Sequence, residues 1–151
     1  MRKYVATLIT TFLCTSVIAD NQQAEPEQWY REMYSPIFLD SPAERLDEIQ
    51  KYYADEMLIH SSEGETSRQD KIKWLSGLLA AWQGDGWLTS ELKDLHIDRI
   101  NVSTVSFKSS WVDHYEGAED EISCGWYLAG LDGDQWKFTA YTYIDCAAHG
   151  L

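Results

Sequence analysis

The sequence has little cysteine, little basic charge and no long apolar run beyond its N-terminus. Three of its 151 residues are Cys, and 12 Lys and Arg residues stand against 25 Asp and Glu residues, which gives a formal net charge of −13. So negative a surface repels phosphate backbones and anionic lipid headgroups, and we therefore expect no nucleic-acid partner. No internal apolar run approaches the ~20 residues that cross a bilayer, so we expect no stable membrane insertion after signal cleavage.

Several motifs that carry chemistry are also missing. The four His residues are scattered, without a pair four residues apart and without a Cys-x-x-Cys motif, so we expect no metal site. The sequence has no Gly-rich phosphate loop and no Gly-x-Ser-x-Gly elbow. The acids of residues 116–121 lack the spacing of a calcium loop and read as a solvated turn. We therefore expect a protein without a cofactor.

The N-terminal residues have the three-part pattern of a signal peptide. Arg2 and Lys3 supply positive charge, residues 4–18 are mostly apolar, and Ala19 is the small residue that a signal peptidase requires. The alternative is a buried N-terminal helix. We predict a signal peptide over residues 1–19 and a single domain over residues 20–151, in a periplasm or outside the cell.

Two cysteines, Cys124 and Cys146, remain after Cys14 leaves with the signal peptide. An even pair in an oxidising compartment favours a disulfide. Counting outward from the Asp132-Gly133 turn places residue 124 opposite residue 143, so a bulge would have to bring the two cysteines together. The alternative is two separate buried thiols.

The first part of the mature chain has the period of amphipathic helices. Apolar residues spaced by four over residues 29–38 predict the first helix. Ser41 and Glu44 form a capping box for a second helix, whose apolar stripe continues to Tyr53.

A short strand is predicted at residues 57–60, and a third helix follows it. Ser67 and Asp70 form a capping box for this helix, and Leu75 and Leu79 belong to its apolar seam.

From residue 88 onward the period becomes that of strands. The Asp132-Gly133 pair marks a hairpin. Because alternate residues of a strand face opposite sides of the sheet, Trp136 and Phe138 should face one side and Tyr141 and Tyr143 the other, so that one of these two pairs faces the helices. Helices followed by antiparallel strands predict an α+β fold. The predicted strands cover residues 88–100, 105–113, 122–131 and 136–144.

Three stretches resemble the SnoaL-like, nuclear transport factor two-like superfamily, and together with the order of elements the likeness covers nearly all of the mature chain. The resemblance implies three N-terminal helices packed on a curved antiparallel sheet of about four to six strands, in the shape of a cone. The superfamily includes isomerases, dehydratases, cyclases, epoxide hydrolases and proteins without a known reaction, so function must be argued from the site. The stretches are Lys51–Met57, Gly64 with the helix of residues 68–82, and Leu131–Phe138.

The ketosteroid-isomerase branch of this superfamily can be tested residue by residue. The position of its carboxylate base falls near His60 or Ser61, and that of its second acid near Trp126 or Tyr127. Neither position holds an acid, although Tyr34 can stand for the branch's tyrosine. We therefore do not expect this activity.

His60 is the candidate proton-transfer residue, because the ordinary pKa of a histidine suits that role. It lies on the short strand that passes the pocket mouth in the resembled fold, and Asp113 could orient it. The alternative is a structural histidine and a solvated strand end.

The aromatic side chains predict a pocket for a small apolar or ring-shaped ligand, because rings with one polar edge stack on such a molecule and hold its oxygens. A cofactor-independent isomerase, dehydratase or hydrolase is one form of this hypothesis. The alternative is a non-enzymatic interaction module of the cell envelope, and we expect a homodimer through the open sheet face. The predicted ligand contacts are Tyr34, Tyr53, Trp74, Trp111, Tyr127 and Tyr141.

Overall fold

The computed structural model describes residues 24–151 as a layer of helical segments packed on one face of a six-stranded sheet. The signal peptide predicted at residues 1–19 lies outside the described residues. Within residues 24–151, no helix combines the length and the apolar character that a membrane span requires.

The first helical segment changes its pitch along its length. It consists of α1 (Pro26–Gln28), a π-helix (Trp29–Tyr34) and a 3-10 helix (Ser35–Leu39). The predicted helix is confirmed, and the apolar residues that predicted it are buried except for Met33, which is 49% exposed. The wider π-turn brings residues five apart onto one face, and the rings of Trp29 and Tyr34 accordingly stack at 6.2 Å.

The second predicted helix forms only as short turns. The predicted capping box is not made: Ser41 has a left-handed φ of 44°, and its hydroxyl donates to Asp40 Oδ1 at 3.1 Å. Tyr53, predicted to end the helical stripe, is instead the first, buried residue of a strand. The turns are a 3-10 helix (Pro42–Glu44), α2 (Leu46–Ile49) and a second 3-10 helix (Gln50–Tyr52).

The predicted short strand is longer in the structure and has a partner that the sequence did not predict. Strand β1 (Tyr53–His60) pairs antiparallel with β2 (Thr66–Asp70) at the edge of the sheet. Ser67 therefore lies in a strand and does not cap a helix. The edge position explains why β2 lacks the alternating apolar pattern, since its side chains are almost all exposed.

The third helix is α3 (Lys71–Gly84), as predicted in type and position. Asp70 alone caps it, and its carboxylate accepts a hydrogen bond from the backbone N–H of Lys73 at 2.9 Å. Leu75 and Leu79 of the predicted seam are buried. The helix therefore packs against the sheet through the predicted face.

The sheet is mixed, because β1 runs parallel to the last strand, whereas an antiparallel sheet was predicted. The reason lies in the connection through α3: it leads from β2 at one edge to β3 at the other, β3 runs in the same direction as β2, and the three antiparallel pairings that follow bring β6 back parallel to β1. The strand order is β2-β1-β6-β5-β4-β3. The four later strands match their predictions closely: β3 (Trp87–Asn101), β4 (Thr104–Tyr115), β5 (Glu121–Asp132) and β6 (Gln135–Tyr143).

Thr139 is an extra residue in β6 that changes which side chains face the helices. Its neighbours Phe138 and Ala140 pair with two consecutive residues of β5, which leaves Thr139 unpaired as a β-bulge. Strict alternation predicted that Trp136 and Tyr141 face opposite sides. Because the bulge resets the alternation, both are buried on the helical side of the sheet.

Cys124 and Cys146 form the predicted disulfide, with their Cα atoms 5.4 Å apart. The predicted bulge contributes: the extra residue at Thr139 shifts the register by one, so that Gly125, and not Cys124, pairs with Tyr143. The backbone N–H of Ile144 still donates to Cys124 O at 3.0 Å, and the chain then turns into the short helix α4 (Cys146–His149), which Asp145 caps. The turn carries Cys146 back onto β5.

Candidate ligand-binding cavity

A cavity lies between the helical layer and the inner face of the sheet. Its walls come from the first helical segment, β1, α3, β3, β4, β5 and β6, so that residues distant in the sequence meet there. The structure brings together all six aromatic residues predicted as ligand contacts, and ligand binding by them stays a prediction. The lining aromatic residues are Tyr34, Phe38, Tyr53, Trp74, Trp82, Trp111, Tyr127, Tyr141 and Tyr143.

The interior of the cavity is narrow. The centre of a water molecule can occupy a volume of about 40 Å³ inside it, whereas the whole space between the walls, including the open mouth, is about 560 Å³. The inner volume corresponds to a few ordered waters. A larger ligand therefore requires the half-buried side chains of α3 at the wall, Trp74 and Leu78, to move outward.

The tyrosine hydroxyls of the cavity wall are hydrogen-bond donors at neutral pH. Burial raises the pKa of Tyr34, Tyr53, Tyr127 and Tyr141 above that of a free tyrosine, because the phenolate would lose its hydration. The hydroxyls of Tyr34 and Tyr53 are hydrogen-bonded to each other at 2.5 Å. Protonated hydroxyls of this kind can donate to an oxygen of a bound molecule.

A buried serine supports the rings behind the cavity. Ser109 is fully buried on the inner face of β4, where it accepts hydrogen bonds from the Tyr30 hydroxyl at 2.8 Å and from Trp111 Nε1 at 2.9 Å. These bonds fix the orientation of the Trp111 indole, which forms part of the cavity wall. A serine among rings satisfies their polar edges, which is why a small polar residue occurs in this core.

Asp113 lines the cavity together with Ser90, its direct partner across the β3–β4 pair. Both side chains are buried, with exposures of 9% and 5%. The Ser90 hydroxyl donates to Asp113 Oδ1, and Trp87 Nε1 donates to Ser90 Oγ at 2.9 Å. The chain of donors runs from indole to hydroxyl to carboxylate and holds Asp113 in place.

His60 does not line the cavity. Its neighbour Ile59 pairs with Tyr141, which faces the cavity, so the alternation of β1 directs His60 to the other face of the sheet. There its Nδ1 contacts Thr66 Oγ1 at 2.6 Å. The structure therefore does not form the predicted pair of His60 and Asp113, and a catalytic role for either residue stays a prediction.

The mouth of the cavity is bordered by a contact between α3 and β6. Trp82 Nε1 donates to the Tyr143 hydroxyl at 3.2 Å, and Tyr143 itself is 43% exposed. The Trp82 ring also packs on Trp87, with ring centroids 4.9 Å apart. The mouth is thus formed by side chains that are already in contact with solvent.

Gly125 keeps the floor of the cavity open. A Cβ atom at this position would lie 3.0 Å from Tyr127 Cε2 and 3.1 Å from Tyr141 Cε2, a tight contact that the two rings would have to relieve by shifting slightly. The absence of a side chain therefore lets two tyrosine rings approach β5 and leaves space above them.

Sequence reasoning missed several residues of the site. Ser90 and Ser109 carry no periodic signal of their own, because a polar residue on an inner strand face reads as a break in the pattern. The signal that could have found Ser90 is its register with Asp113 across the β3–β4 hairpin. Trp82 and Tyr143 also line the cavity, although neither is among the predicted ligand contacts.

Comparison with known proteins establishes the fold. No established protein family matches the sequence, and no curated protein matches it either. A nuclear transport factor two-like protein with a cystatin-like fold from Novosphingobium aromaticivorans superposes with a TM-score of 0.57 at 12% identity, covering 82% of this chain and 86% of that one.

Two further solved structures are similar to this chain. A candidate scytalone dehydratase from Novosphingobium aromaticivorans has a TM-score of 0.56 at 14% identity, over 78% of each chain. A candidate ketosteroid isomerase from Shewanella frigidimarina has a TM-score of 0.53 at 15% identity, over 78% of this chain and 89% of that one. The chain thus has the cystatin-like, nuclear transport factor two-like fold, and the resemblance seen in the sequence is confirmed at that level.

Proposed function

We propose that this chain is an exported protein that binds a small, mainly apolar, ring-bearing molecule in its aromatic cavity. The observation that carries the proposal is the convergence of aromatic side chains from separate elements on one concave site with a few polar groups in its wall. Ligand sites have this composition: an apolar, ring-lined cleft with few, well-placed hydrogen-bonding groups.

Two features support export. The N-terminal residues have the charged, apolar and small-residue order of a cleaved signal. The disulfide between Cys124 and Cys146 suits an oxidising compartment, since such bonds are rare where thiols are kept reduced. We propose a periplasmic or extracellular location on these grounds.

The polar groups of the cavity define what a bound molecule would meet. The tyrosine hydroxyls would donate to its oxygens, and Asp113 would accept a hydrogen bond from it. A reaction without cofactor, such as an isomerisation, dehydration or hydrolysis, would use Asp113 as proton acceptor, because His60 lies on the opposite sheet face. Replacing His60 with Ala should accordingly leave ligand binding unchanged, as a binding assay on the folded variant would show.

The test is native mass spectrometry of the protein purified from an exporting host, followed by titration with the neutral apolar dye Nile red. We expect a bound small molecule that is lost on denaturation, or dye binding that the Gly125→Ala variant weakens. Gly130→Ala is the matched control, since a Cβ there meets no atom closer than 3.9 Å. An empty protein that also fails to bind the dye would contradict the proposal.

A second candidate function is self-association through the outer face of the sheet. Trp126 and Leu128 flank the inward-facing Tyr127 and therefore point outward, and Leu58 and Ile122 expose 36% and 47% of their surface. Apolar side chains on an uncovered face are typical of an interface. Sedimentation velocity of the wild type and of Ile122→Glu tests this: a dimer that the variant dissociates supports it, and a wild-type monomer contradicts it.

A further inference from the structure

The described wall of the cavity carries negative charge and no positive charge. Asp113 is the single charged residue among the described residues that line it, and no Lys, Arg or His from residues 24–151 contributes to its wall. The remaining lining residues are aromatic, aliphatic or small and neutral. The cavity therefore presents one carboxylate in an otherwise uncharged, ring-rich surrounding.

Asp113 is a buried acid without a basic partner. The ion pairs formed within residues 24–151 do not include it, and the donor that reaches it is the hydroxyl of Ser90. Buried carboxylates are ordinarily paired with a cation, because a lone charge removed from water is costly. No Lys, Arg or His side chain of residues 24–151 supplies that cation.

The walls around Asp113 suit a positive group. Trp111 precedes Asp113 by two residues on β4, so the indole and the carboxylate lie on the same inner face of the strand. Trp82 and Tyr143 line the mouth of the same cavity. The faces of such rings carry negative electrostatic potential and attract ammonium groups.

The charge of the whole molecule acts in the same direction. A net charge of −13 raises the local concentration of cations and lowers that of anions at the surface. Anionic ligands would meet this repulsion and then Asp113, and no basic side chain from the described part of the chain lines the cavity to offset it. A neutral ligand would leave the carboxylate without a counter-charge.

We propose that the ligand of this cavity is an organic cation: a small apolar or ring-bearing body with an ammonium group that pairs with Asp113. The inference rests on the proposed function and names the chemical class of its ligand. The apolar body would lie among the tyrosine and tryptophan rings, and the ammonium group would take the position beside the carboxylate that Ser90 leaves open.

The test compares three molecules of the same shape by isothermal titration calorimetry: benzylamine, benzyl alcohol and benzoate. We expect benzylamine to bind at least about ten-fold more tightly than benzyl alcohol, and benzoate to bind most weakly, because only the amine gains an ion pair and ring contacts. In Asp113→Asn, which keeps the acceptor for Ser90, the preference for the amine should fall to about two-fold or less.

Asp98→Asn is the matched control, since Asp98 is exposed on β3 and pairs with Ser106 on the outer face. It removes the same charge from the protein and should leave the preference intact. An unchanged preference in Asp113→Asn, or equal loss in Asp98→Asn, would overturn the inference.

The comparison within the wild type does not depend on whether Asp113→Asn folds. If benzyl alcohol binds as tightly as benzylamine, and Gly125→Ala weakens both, the cavity binds ligands but the inference of a cation is wrong. If none of the three molecules binds and the purified protein is empty and excludes Nile red, the proposed function fails, and this inference fails with it.

Discussion

The hydroxyls of Tyr34 and Tyr53 are hydrogen-bonded to each other at 2.5 Å, which joins the first helical segment to strand β1 inside the cavity wall. Both side chains are buried, with exposures of 1% and 3%. Each hydroxyl satisfies the other, and the two rings are held in place as neighbours in that wall.

The pair predicts a non-additive effect on stability. Tyr34→Phe or Tyr53→Phe alone leaves one buried hydroxyl without its partner and should lower the free energy of unfolding by about 1–3 kcal/mol. The double variant removes both hydroxyls and should be less destabilised than the sum of the single variants. Urea unfolding of the four proteins measures this, and strict additivity would show that the two hydroxyls do not interact.

The bond between Trp82 and Tyr143 predicts control of access to the cavity. Trp82→Phe keeps a ring but removes the N–H that reaches across the mouth, so Nile red should associate faster, with a loss in stability of about 1 kcal/mol or less. Stopped-flow fluorescence measures the rate. Trp126→Phe is the control, since Trp126 points to the outer face of the sheet, does not line the cavity, and its indole forms no hydrogen bond within the described residues. Equal acceleration in both variants would contradict a specific role for the bond.

The disulfide predicts a sizeable share of the stability. It joins residues separated by 22 positions, and replacing both Cys124 and Cys146 with Ser should lower the free energy of unfolding by about 2–4 kcal/mol. The loss should equal that of the wild type under reducing conditions. Chemical unfolding with and without reductant measures it, and an unchanged midpoint would show that the disulfide does not stabilise the folded state.

The buried tyrosines predict unfolding at alkaline pH. Burial raises the pKa of Tyr30, Tyr34, Tyr53, Tyr127 and Tyr141 above the ordinary value of 10.0. The folded state therefore holds these protons where the unfolded state releases them, so their contribution to stability is complete below pH 10 and falls above it. Each such tyrosine lowers the free energy of unfolding by about 1.4 kcal/mol for every pH unit above 10.

Tyrosinate absorbance and circular dichroism, recorded together against pH, measure this behaviour. We expect the buried tyrosines to ionise in one step with the loss of secondary structure. Ionisation of all tyrosines while the dichroism stays native would contradict the assignment of these five residues as buried.

The strands were predictable because their signal is local. The alternation in β4 predicted the bounds of that strand to within two residues. The Asp132-Gly133 pair predicted the hairpin between β5 and β6, and Gly133 has the positive φ of 65° that the turn requires. Strand β2 was not predictable, since an exposed edge strand of polar residues has no apolar face and therefore no alternating pattern.

The candidate site was predictable in composition but not in arrangement. The aromatic residues could be recognised as a group, because so many large rings in one domain are expected to pack together in its interior. The side of the sheet on which His60 lies could not be predicted, because it depends on the parallel pairing of β1 with β6, which no local pattern reveals. The partnership of Asp113 and Ser90 depends in the same way on register across β3 and β4.

The bulge at Thr139 makes the interior of this protein depend on how one extra residue is accommodated as well as on residue identity. If β6 held the same residues without the bulge, strict alternation would carry Tyr141 to solvent and Thr142 into the cavity. A relative that lacks the extra residue would keep Tyr141 facing inward, because the remaining residues would alternate without interruption. An alignment that places this one-residue gap elsewhere in the strand would compare lining residues with surface residues, so ligand preference in such relatives must be read from the position of the gap before it is read from the residues.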